Sequence, residues 1–189
     1  IKQAIYKATG KRIILMDKTT EALKINREWA MPSKWTFEIK PIKELLERYN
    51  FGKGWIDPFC GKFSMAEFKN DLNPENKNAE YHMEALEFLM LKEWNIDGAV
   101  FDPPYSLTQV SRSYNDIGLK FKAKENPTGG FPKVRARLAE LLKQGQYCIS
   151  FGWNTAGLGK KNGMEIVEIL IVSHGGNRND TLVTVERKL

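Results

Sequence analysis

Apolar residues recur along the chain at two different spacings, one typical of helices and one of buried strands. After Pro41, the residues Ile42, Leu45 and Leu46 fall at positions i, i+3 and i+4, which predicts a helix that ends near Asn50. The same spacing predicts helices over residues 84–94 and 131–143. A weaker pattern favours a short helix over Lys24–Trp29.

Short apolar runs bounded by turn residues predict the strands. They are residues 13–16, 55–57, 98–101, 146–151, 166–173 and 181–186, and a buried turn is the alternative for residues 13–16. Glycines and asparagines in residues 174–180 predict a hairpin turn between the last two runs. Residues 106–130 are polar and lack periodicity, which predicts a long loop that could act as a lid or a substrate clamp. The alternation of strands and helices indicates an α/β fold.

The composition supports a single globular domain over residues 1–189, in which residues 1–40 form an extension that covers part of the site. A chain of 189 residues with 42% hydrophobic content can bury one substantial core. No apolar run is long enough for a membrane span or a signal peptide, so we expect a soluble protein of the cytoplasm. The two cysteines and two histidines share no ligand spacing, which argues against a disulfide framework or a metal site.

The net charge of +6 is unevenly distributed and indicates a polyanionic partner. One basic cluster comprises Lys2, Lys7, Lys11, Arg12 and Lys18, and we interpret it as a solvated face. A second cluster comprises Arg112, Lys120, Lys122, Lys124, Lys133, Arg135 and Arg137. Because the second cluster follows the most informative motif of the chain, we expect it to contact a nucleic-acid backbone.

That motif is Asp102-Pro103-Pro104-Tyr105, directly after the apolar run 98–101. The amine on an aromatic base is a poor nucleophile, and acceptors for both of its hydrogens favour the pyramidal form that attacks a methyl group. The Asp102 carboxylate and the Pro103 carbonyl are two such acceptors on a rigid loop. Tyr105 offers a flat face on which a base can stack. The alternative is an ordinary turn at the end of a strand.

A second motif follows the strand predicted over residues 55–57. Here the buried run ends in Asp57, and Gly61 allows a sharp turn that leaves backbone amides facing a ligand. A carboxylate at this position can accept hydrogen bonds from the ammonium group of an amino-acid-like cofactor. A turn without special chemistry is the alternative interpretation of this stretch alone.

Together, Asp57-Pro58-Phe59-Cys60-Gly61 and Asp102-Pro103-Pro104-Tyr105 resemble the motifs of S-adenosylmethionine-dependent N6-adenine amino-methyltransferases, including the small enzymes common in bacteriophages. The resemblance covers roughly residues 32–189. It implies a Rossmann-like methyltransferase fold with a mostly parallel seven-stranded sheet and an antiparallel closing hairpin. It also implies that Asp71 holds the cofactor's ribose and that Glu84 lies near its adenine. The implied cofactor-binding residues are Trp35, Thr36, Phe37, Asp57, Pro58, Phe59, Cys60, Gly61, Asp71, Leu72, Asn73, Glu84 and Ala85.

The sequence departs from the family after Gly61, where the second glycine of the usual Gly-x-Gly turn is missing. The stretch from Gly61 to Asp71 is too short for a full helix and a strand. We therefore expect the first crossover helix to be shortened, although two strand-and-helix units are expected between Asp57 and Asp102. Either the cofactor pocket is more open than usual, or the helix after Pro41 covers it.

The resemblance implies transfer of a methyl group from S-adenosylmethionine to N6 of adenine in nucleic acid, with DNA favoured over RNA. Catalysis is implied for Asp102, Pro103, Pro104 and Tyr105, and substrate contacts are expected for Arg112, Lys120, Lys122, His174 and Arg178. Guanine N2, cytosine N4 and protein glutamine remain alternative acceptors, and a non-catalytic nucleic-acid-binding subunit is an alternative role. No separate target-recognition domain is predicted, so specificity could involve a homodimer or a partner subunit. The implied location is the cytoplasm of a bacterium or a phage-infected cell.

Overall fold

Seven strands and four α-helices form the part of the chain that the computed structural model describes, residues 22–120 and 131–189. In chain order they are β1 Lys24–Trp29, α1 Lys40–Arg48, β2 Trp55–Asp57, β3 Phe68–Lys69, α2 Ala85–Met90, β4 Gly98–Phe101, α3 Leu107–Asn115, α4 Pro132–Leu141, β5 Tyr147–Gly152, β6 Met164–Ser173 and β7 Thr181–Lys188. Two short 3-10 turns, Thr36–Glu38 and Lys160–Asn162, complete the described secondary structure.

The strands form one sheet in the order β1-β6-β7-β5-β4-β2-β3. β7 runs antiparallel to both of its neighbours, and every other pairing is parallel. This confirms the predicted mostly parallel, seven-stranded sheet with an antiparallel closing hairpin. Because β6 runs in the same direction as β2, β4 and β5, all four strands end at the same edge of the sheet.

Helices cover both faces of the sheet. Along β4, Val100 packs into one core with α1, whereas Ala99 packs into a second core with α2 and α4. This division follows from the pleat, since successive side chains of a strand point to opposite faces. Helix α1 begins around Pro41 as predicted, and Asn50 after its end adopts a left-handed conformation with φ of 53°. The near-continuous burial of β2 and β4 is typical of parallel strands between two helical layers.

The first crossover connection contains no helix. Residues 58–67, between β2 and β3, form turns and irregular structure, which confirms the expected shortening. The expectation of two strand-and-helix units between Asp57 and Asp102 is wrong. The structure has the two-residue strand β3, a single parallel bridge between Asn70 and Tyr81, and helix α2. Helix α2 is also shorter than the prediction over residues 84–94, because it ends at Met90.

The helix predicted over Lys24–Trp29 is wrong, since this segment forms β1 at the edge of the sheet. It pairs in parallel with β6, from Lys24 opposite Glu168 to Trp29 opposite Ser173. All six side chains of β1 are exposed, so neither helical nor alternating burial marks the segment in the sequence. The structure of this segment is therefore set by backbone pairing with a strand far along the chain and not by local propensity.

The long loop predicted over residues 106–130 is wrong in its first part, where helix α3 forms. The hydroxyl of Ser106 accepts a hydrogen bond from the backbone amide of Gln109, which caps the helix N-terminus. Only Val110 of α3 is buried, so the helix has no apolar stripe for the sequence to reveal.

Several predictions lie outside the described residues: the strand over 13–16, the N-terminal basic cluster, and Lys122 and Lys124. Among the residues that the structure describes, no helix has the length and apolar character needed to cross a bilayer. In the same two ranges, no group of three or more His, Cys, Asp or Glu side chains is arranged to hold a metal ion.

Candidate active site

A cavity of about 330 Å³ opens where β2, β3 and β4 end. Its walls come from the loops that follow these strands and from helix α3. Ligands bind at this edge in open α/β sheets because the loops after parallel strands converge there. The volume lies within the usual range for a site that holds a small-molecule ligand.

The loop after β4 places Asp102 and Tyr105 on the cavity wall. The Tyr105 hydroxyl donates a hydrogen bond of 2.6 Å to Oδ1 of Asp102, which fixes the orientation of the carboxylate. Burial raises the pKa of Asp102 to about 6, although hydrogen bonds from Tyr105 and Thr36 oppose the shift. Burial and the neighbouring Asp102 charge also raise the pKa of the Tyr105 hydroxyl. Asp102 is therefore mostly ionised at neutral pH, and the tyrosine stays a hydrogen-bond donor.

Asp57, at the end of β2, has no solvent exposure and lies behind the cavity wall. Its Oδ1 accepts the amide hydrogen of Phe59 at 3.0 Å, and its Oδ2 accepts the Ser64 hydroxyl at 2.7 Å. Burial raises the pKa of Asp57 to about 7 against these hydrogen bonds, and the nearby Asp102 and Asp71 charges raise it further. In the structure, Asp57 shapes the turn that brings Phe59 and Gly61 to the cavity. Its contact with a cofactor ammonium group stays a prediction.

Asn70 connects three of the loops around the cavity. Its side-chain amide donates to the carbonyl oxygens of Pro58 and Met83, and its Oδ1 accepts the backbone amide of Met83. The next residue, Asp71, accepts hydrogen bonds from the amide of Asn73 and the side chain of Asn76. The side chains of Asn70 and Asn76 in this network are buried and hydrogen-bonded, which favours a single arrangement of these loops.

Glu84 immediately precedes α2, and its carboxylate accepts one bifurcated hydrogen bond from the Tyr114 hydroxyl, whose oxygen lies 2.7 Å from each carboxylate oxygen. Tyr114 belongs to α3, so this contact joins two elements that are distant in the sequence. Both residues line the cavity. The contact holds α3 over the side of the cavity where the sequence resemblance expects the adenine of a cofactor.

The structure brings most of the predicted site residues to one cavity. Those that line it are Thr36, Pro58, Phe59, Gly61, Asp71, Leu72, Glu84, Ala85, Asp102, Pro103, Pro104 and Tyr105. Those that do not are Trp35, Phe37, Asp57, Cys60 and Asn73. Phe37 belongs to the core below the site, and Trp35 packs on Phe63 with ring centres 4.9 Å apart.

The predicted substrate-binding residues are more dispersed. Arg112 on α3 and Lys120 after it are exposed, and Arg178 is exposed in the turn between β6 and β7. His174 follows β6 at the predicted edge, but its ring is buried and hydrogen-bonded to the carbonyl of Ala30 and the hydroxyl of Thr181. None of these four lines the cavity, and their substrate contacts stay predictions.

Sequence reasoning missed a further group of lining residues: Asn70, Met83, Gln109, Val110, Ser113, Tyr114 and Phe131. One signal was present, because Ser106 and Gln109 have the spacing of a capping box. In the structure, Gln109 Oε1 accepts the backbone amide of Tyr105 at 2.6 Å, while the Gln109 amide donates to the Ser106 hydroxyl. Helix α3 is thereby tied directly to the loop that carries Asp102.

No protein-family model matches the chain, and no curated protein matches its sequence. Solved structures do match. TrmN from Thermus thermophilus is 15% identical with a TM-score of 0.51, over 80% of this chain and 49% of that one. A Streptococcus mutans protein assigned to the SAM-dependent methyltransferases is 11% identical with a TM-score of 0.51, over 78% of this chain and 48% of that one. The chain thus spans about half the length of either protein, and the likeness shows a shared Rossmann-like methyltransferase fold.

Proposed function

We propose that this chain transfers a methyl group from S-adenosylmethionine to the N6 amine of adenine in nucleic acid, with DNA favoured over RNA. The observation that carries the proposal is the placement of Asp102 and Tyr105 on the wall of the same cavity that Asp71 and Glu84 line. The fold shared with an assigned SAM-dependent methyltransferase supports the reaction class. The net charge of +6 supports a polyanionic acceptor.

The chemistry of the cavity fits the cofactor. S-adenosylmethionine carries ribose hydroxyls and an adenine amine, all of which donate hydrogen bonds, and Asp71 and Glu84 offer carboxylate acceptors. A carboxylate oxygen can accept more than one hydrogen bond, so the existing contacts with Asn76 and Tyr114 leave acceptor capacity for a ligand. When bound, the cofactor supplies an electrophilic methyl group.

The residues after β4 would act on the acceptor amine. The Asp102 carboxylate and the Pro103 carbonyl accept the two amine hydrogens, which makes the nitrogen pyramidal and directs its lone pair at the methyl group. The Tyr105 hydroxyl holds the Asp102 carboxylate in position. The methylated amine is a strong acid and releases its proton readily, so a stronger base is not required. The target base must leave its helix, at a cost of about a few kcal/mol unless it is already unpaired.

Asp71 and Glu84 are the two side-chain carboxylates expected to hold the cofactor. Replacing either of them by its amide should weaken S-adenosylmethionine binding without unfolding the protein. Asp71→Asn and Glu84→Gln each convert a charged acceptor into a neutral one, and we expect a loss of roughly tenfold in affinity for each. Isothermal titration calorimetry of the free protein with the cofactor measures the change. Glu87→Gln on the exposed side of α2 is the matched control. Equal affinity in all four proteins would remove Asp71 and Glu84 from the cofactor site.

The pH dependence of methyl transfer should report the ionisation of Asp102. Its pKa of about 6 predicts that kcat/KM falls about tenfold per pH unit below pH 6, because the protonated carboxyl is a weaker acceptor for the amine than the carboxylate. The raised pKa means that the folded state binds this proton more tightly than the unfolded state. Protonation of Asp102 between pH 7 and pH 5 therefore stabilises the fold, and the loss of activity is not due to unfolding.

Asp102→Asn separates this explanation from titration of Asp57, whose pKa is about 7. The amide keeps one acceptor oxygen and does not titrate, so the variant should be slower but independent of pH between 5 and 7. An acid limb that persists unchanged in Asp102→Asn would assign the titration to another group.

A further inference from the structure

Arg135 of α4 contains a buried polar atom that has no partner among the described residues. Its Nε is inaccessible to solvent and makes no hydrogen bond there. The guanidinium carbon lies 5.1 Å from the centre of the Phe101 ring, so one face of the group packs on an aromatic side chain. By contrast, Arg137 on the same helix bonds Glu93, Glu140 and the carbonyl of Leu89. A buried N–H without an acceptor is unfavourable. Because Nε is closed to solvent, a ligand would reach Arg135 through the part of its side chain that lines a cavity.

Arg135 lines a second cavity, of about 110 Å³, which shares Pro103, Pro104 and Tyr105 with the first. The loop formed by Pro103, Pro104 and Tyr105 is thus the wall between the two cavities. Trp153, after β5, forms another side of the second cavity, and its ring lies 5.7 Å from that of Tyr105. Asp71 and Glu84, the side chains proposed to hold the cofactor, line only the first cavity, which leaves the second for another ligand.

The walls of the second cavity favour an uncharged, planar ligand over an anion. Aromatic rings of Tyr105, Trp153 and Phe101 line it, and such surfaces suit a flat heterocycle. Burial lowers the pKa of Arg135, and the nearby Glu186 carboxylate opposes this shift. Because Glu186 already supplies a negative charge close to the guanidinium, a phosphate in the cavity would meet repulsion as well as attraction. A ring nitrogen or a carbonyl oxygen accepts from arginine without adding a charge.

We propose that Arg135 positions the acceptor base, by donating a hydrogen bond to a ring nitrogen or carbonyl oxygen of a nucleobase that sits beside Tyr105 and Trp153. This inference rests on the proposed function for its choice of a nucleobase as the ligand. In this arrangement the target base lies on one side of the Pro103–Tyr105 loop, and Asp71 and Glu84 lie on the other. Arg135 is then a contact that discriminates between bases by the acceptors that they present.

The experiment is a titration with adenosine of protein saturated with S-adenosylhomocysteine, which under the proposed function fills the first cavity and leaves only the second for the probe, followed by tryptophan fluorescence. Trp153 is 45% exposed beside the cavity, so a bound base should quench it, and Trp153→Phe identifies its share of the signal. Arg135→Met should weaken adenosine binding about tenfold, and Arg135→Lys should recover only part of the loss, because lysine lacks the planar fork. Lys161→Met, which removes an exposed positive charge elsewhere, should bind as the wild type does.

A merely structural role for Arg135 makes a different prediction. Arg135→Met removes an unpartnered buried N–H, so thermal unfolding should show an unchanged or higher midpoint, whereas a structural role requires a lower one. Wild-type protein that binds no adenosine, or equal binding by the wild type and Arg135→Met, would overturn the inference. The inference would also be overturned if inorganic phosphate displaced adenosine from the wild type but not from Arg135→Met, because this result would identify an anion site.

The titration requires no catalysis, and S-adenosylhomocysteine binding is measured separately, so its failure is distinct from failure of the proposed function. If adenosine binding depends on Arg135 but the protein transfers no methyl group, the proposed base site stands and the proposed methyltransferase activity is refuted. Methyl transfer with the same kcat and KM in the wild type and Arg135→Met would retain the enzyme and reject the role of Arg135. We expect Arg135→Met to raise KM for the nucleic acid, with a smaller effect on kcat.

Discussion

Asp102→Ala is expected to lower kcat for methyl transfer by a factor of about 10²–10³, because it removes an acceptor placed where positive charge develops on the amine. Asp102 lies at the cavity wall with its carboxylate oriented by the Tyr105 hydroxyl, so its contribution is set before the substrate arrives. The substitution also leaves the Tyr105 hydroxyl without its acceptor. Steady-state kinetics at pH 7.5, with labelled S-adenosylmethionine and an adenine-containing polymer, measure the change.

Two comparisons make this result specific to the chemistry. Cofactor affinity should change little in Asp102→Ala, because Asp71 and Glu84 lie on other loops of the cavity. Asp102→Asn should lie between the wild type and Asp102→Ala, since the amide retains one acceptor oxygen. If Asp102→Ala kept more than about a third of the wild-type kcat, an electrostatic role for this carboxylate would be ruled out.

Phe88→Ala should produce the largest loss of stability among substitutions in α2, about 3–5 kcal/mol. Phe88 has no solvent exposure, and its ring packs 4.8 Å from that of Trp94 and 5.1 Å from that of Tyr81. A loss of this size is a large fraction of the roughly 5–15 kcal/mol that stabilises a typical domain. Because α2 begins next to Glu84, the substitution should also loosen one wall of the cavity.

Urea unfolding followed by far-UV circular dichroism measures this loss. Glu87→Ala, at the exposed neighbouring position of the same helix, is the control and should change the free energy of unfolding by no more than about 0.5 kcal/mol. A loss below about 1 kcal/mol for Phe88→Ala would mean that the aromatic group around α2 does not form a packed core.

The parts of the fold that could be predicted from sequence are those in which burial follows a simple period. Helix α1 and helix α4 each present one apolar face, and β4 is an unbroken buried run that ends at Asp102. Such patterns arise because each element must hide one face or both from water. For the same reason, the two motifs that follow the buried runs of β2 and β4 were predicted to lie at one edge of the sheet, and the structure places them there.

The parts that could not be predicted depend on pairing and polar contacts over long distances in sequence. Strand β1 is exposed along its whole length and is set by its partner β6. Helix α3 buries one residue and is held by a cap and by the contact of Tyr114 with Glu84. Neither arrangement leaves a periodic pattern of apolar residues. Asn70, which ties three loops together, is likewise a buried polar residue whose partners are defined only by the fold.

The same limit applies to the interior of the site. The sequence motif predicts that Asp57 contacts the cofactor, and this contact stays a prediction. The structure adds that its carboxylate accepts hydrogen bonds from Phe59 and Ser64 behind the cavity wall, which the sequence did not indicate. A motif defines which residues gather at a strand end, but side-chain direction depends on the turn that follows. Here the turn after β2 leads into a connection without a helix, and it directs Phe59 and Gly61 to the cavity.

The most direct test of the account is methyl transfer from labelled S-adenosylmethionine to unmethylated DNA and RNA, with nucleoside analysis of the product. The account predicts label in N6-methyladenine, more on DNA than on RNA, and little with Asp102→Ala. Label in another base or in protein would contradict the assigned acceptor. The absence of label on either polymer, with a protein that still binds the cofactor, would contradict the claim that this chain alone catalyses the transfer.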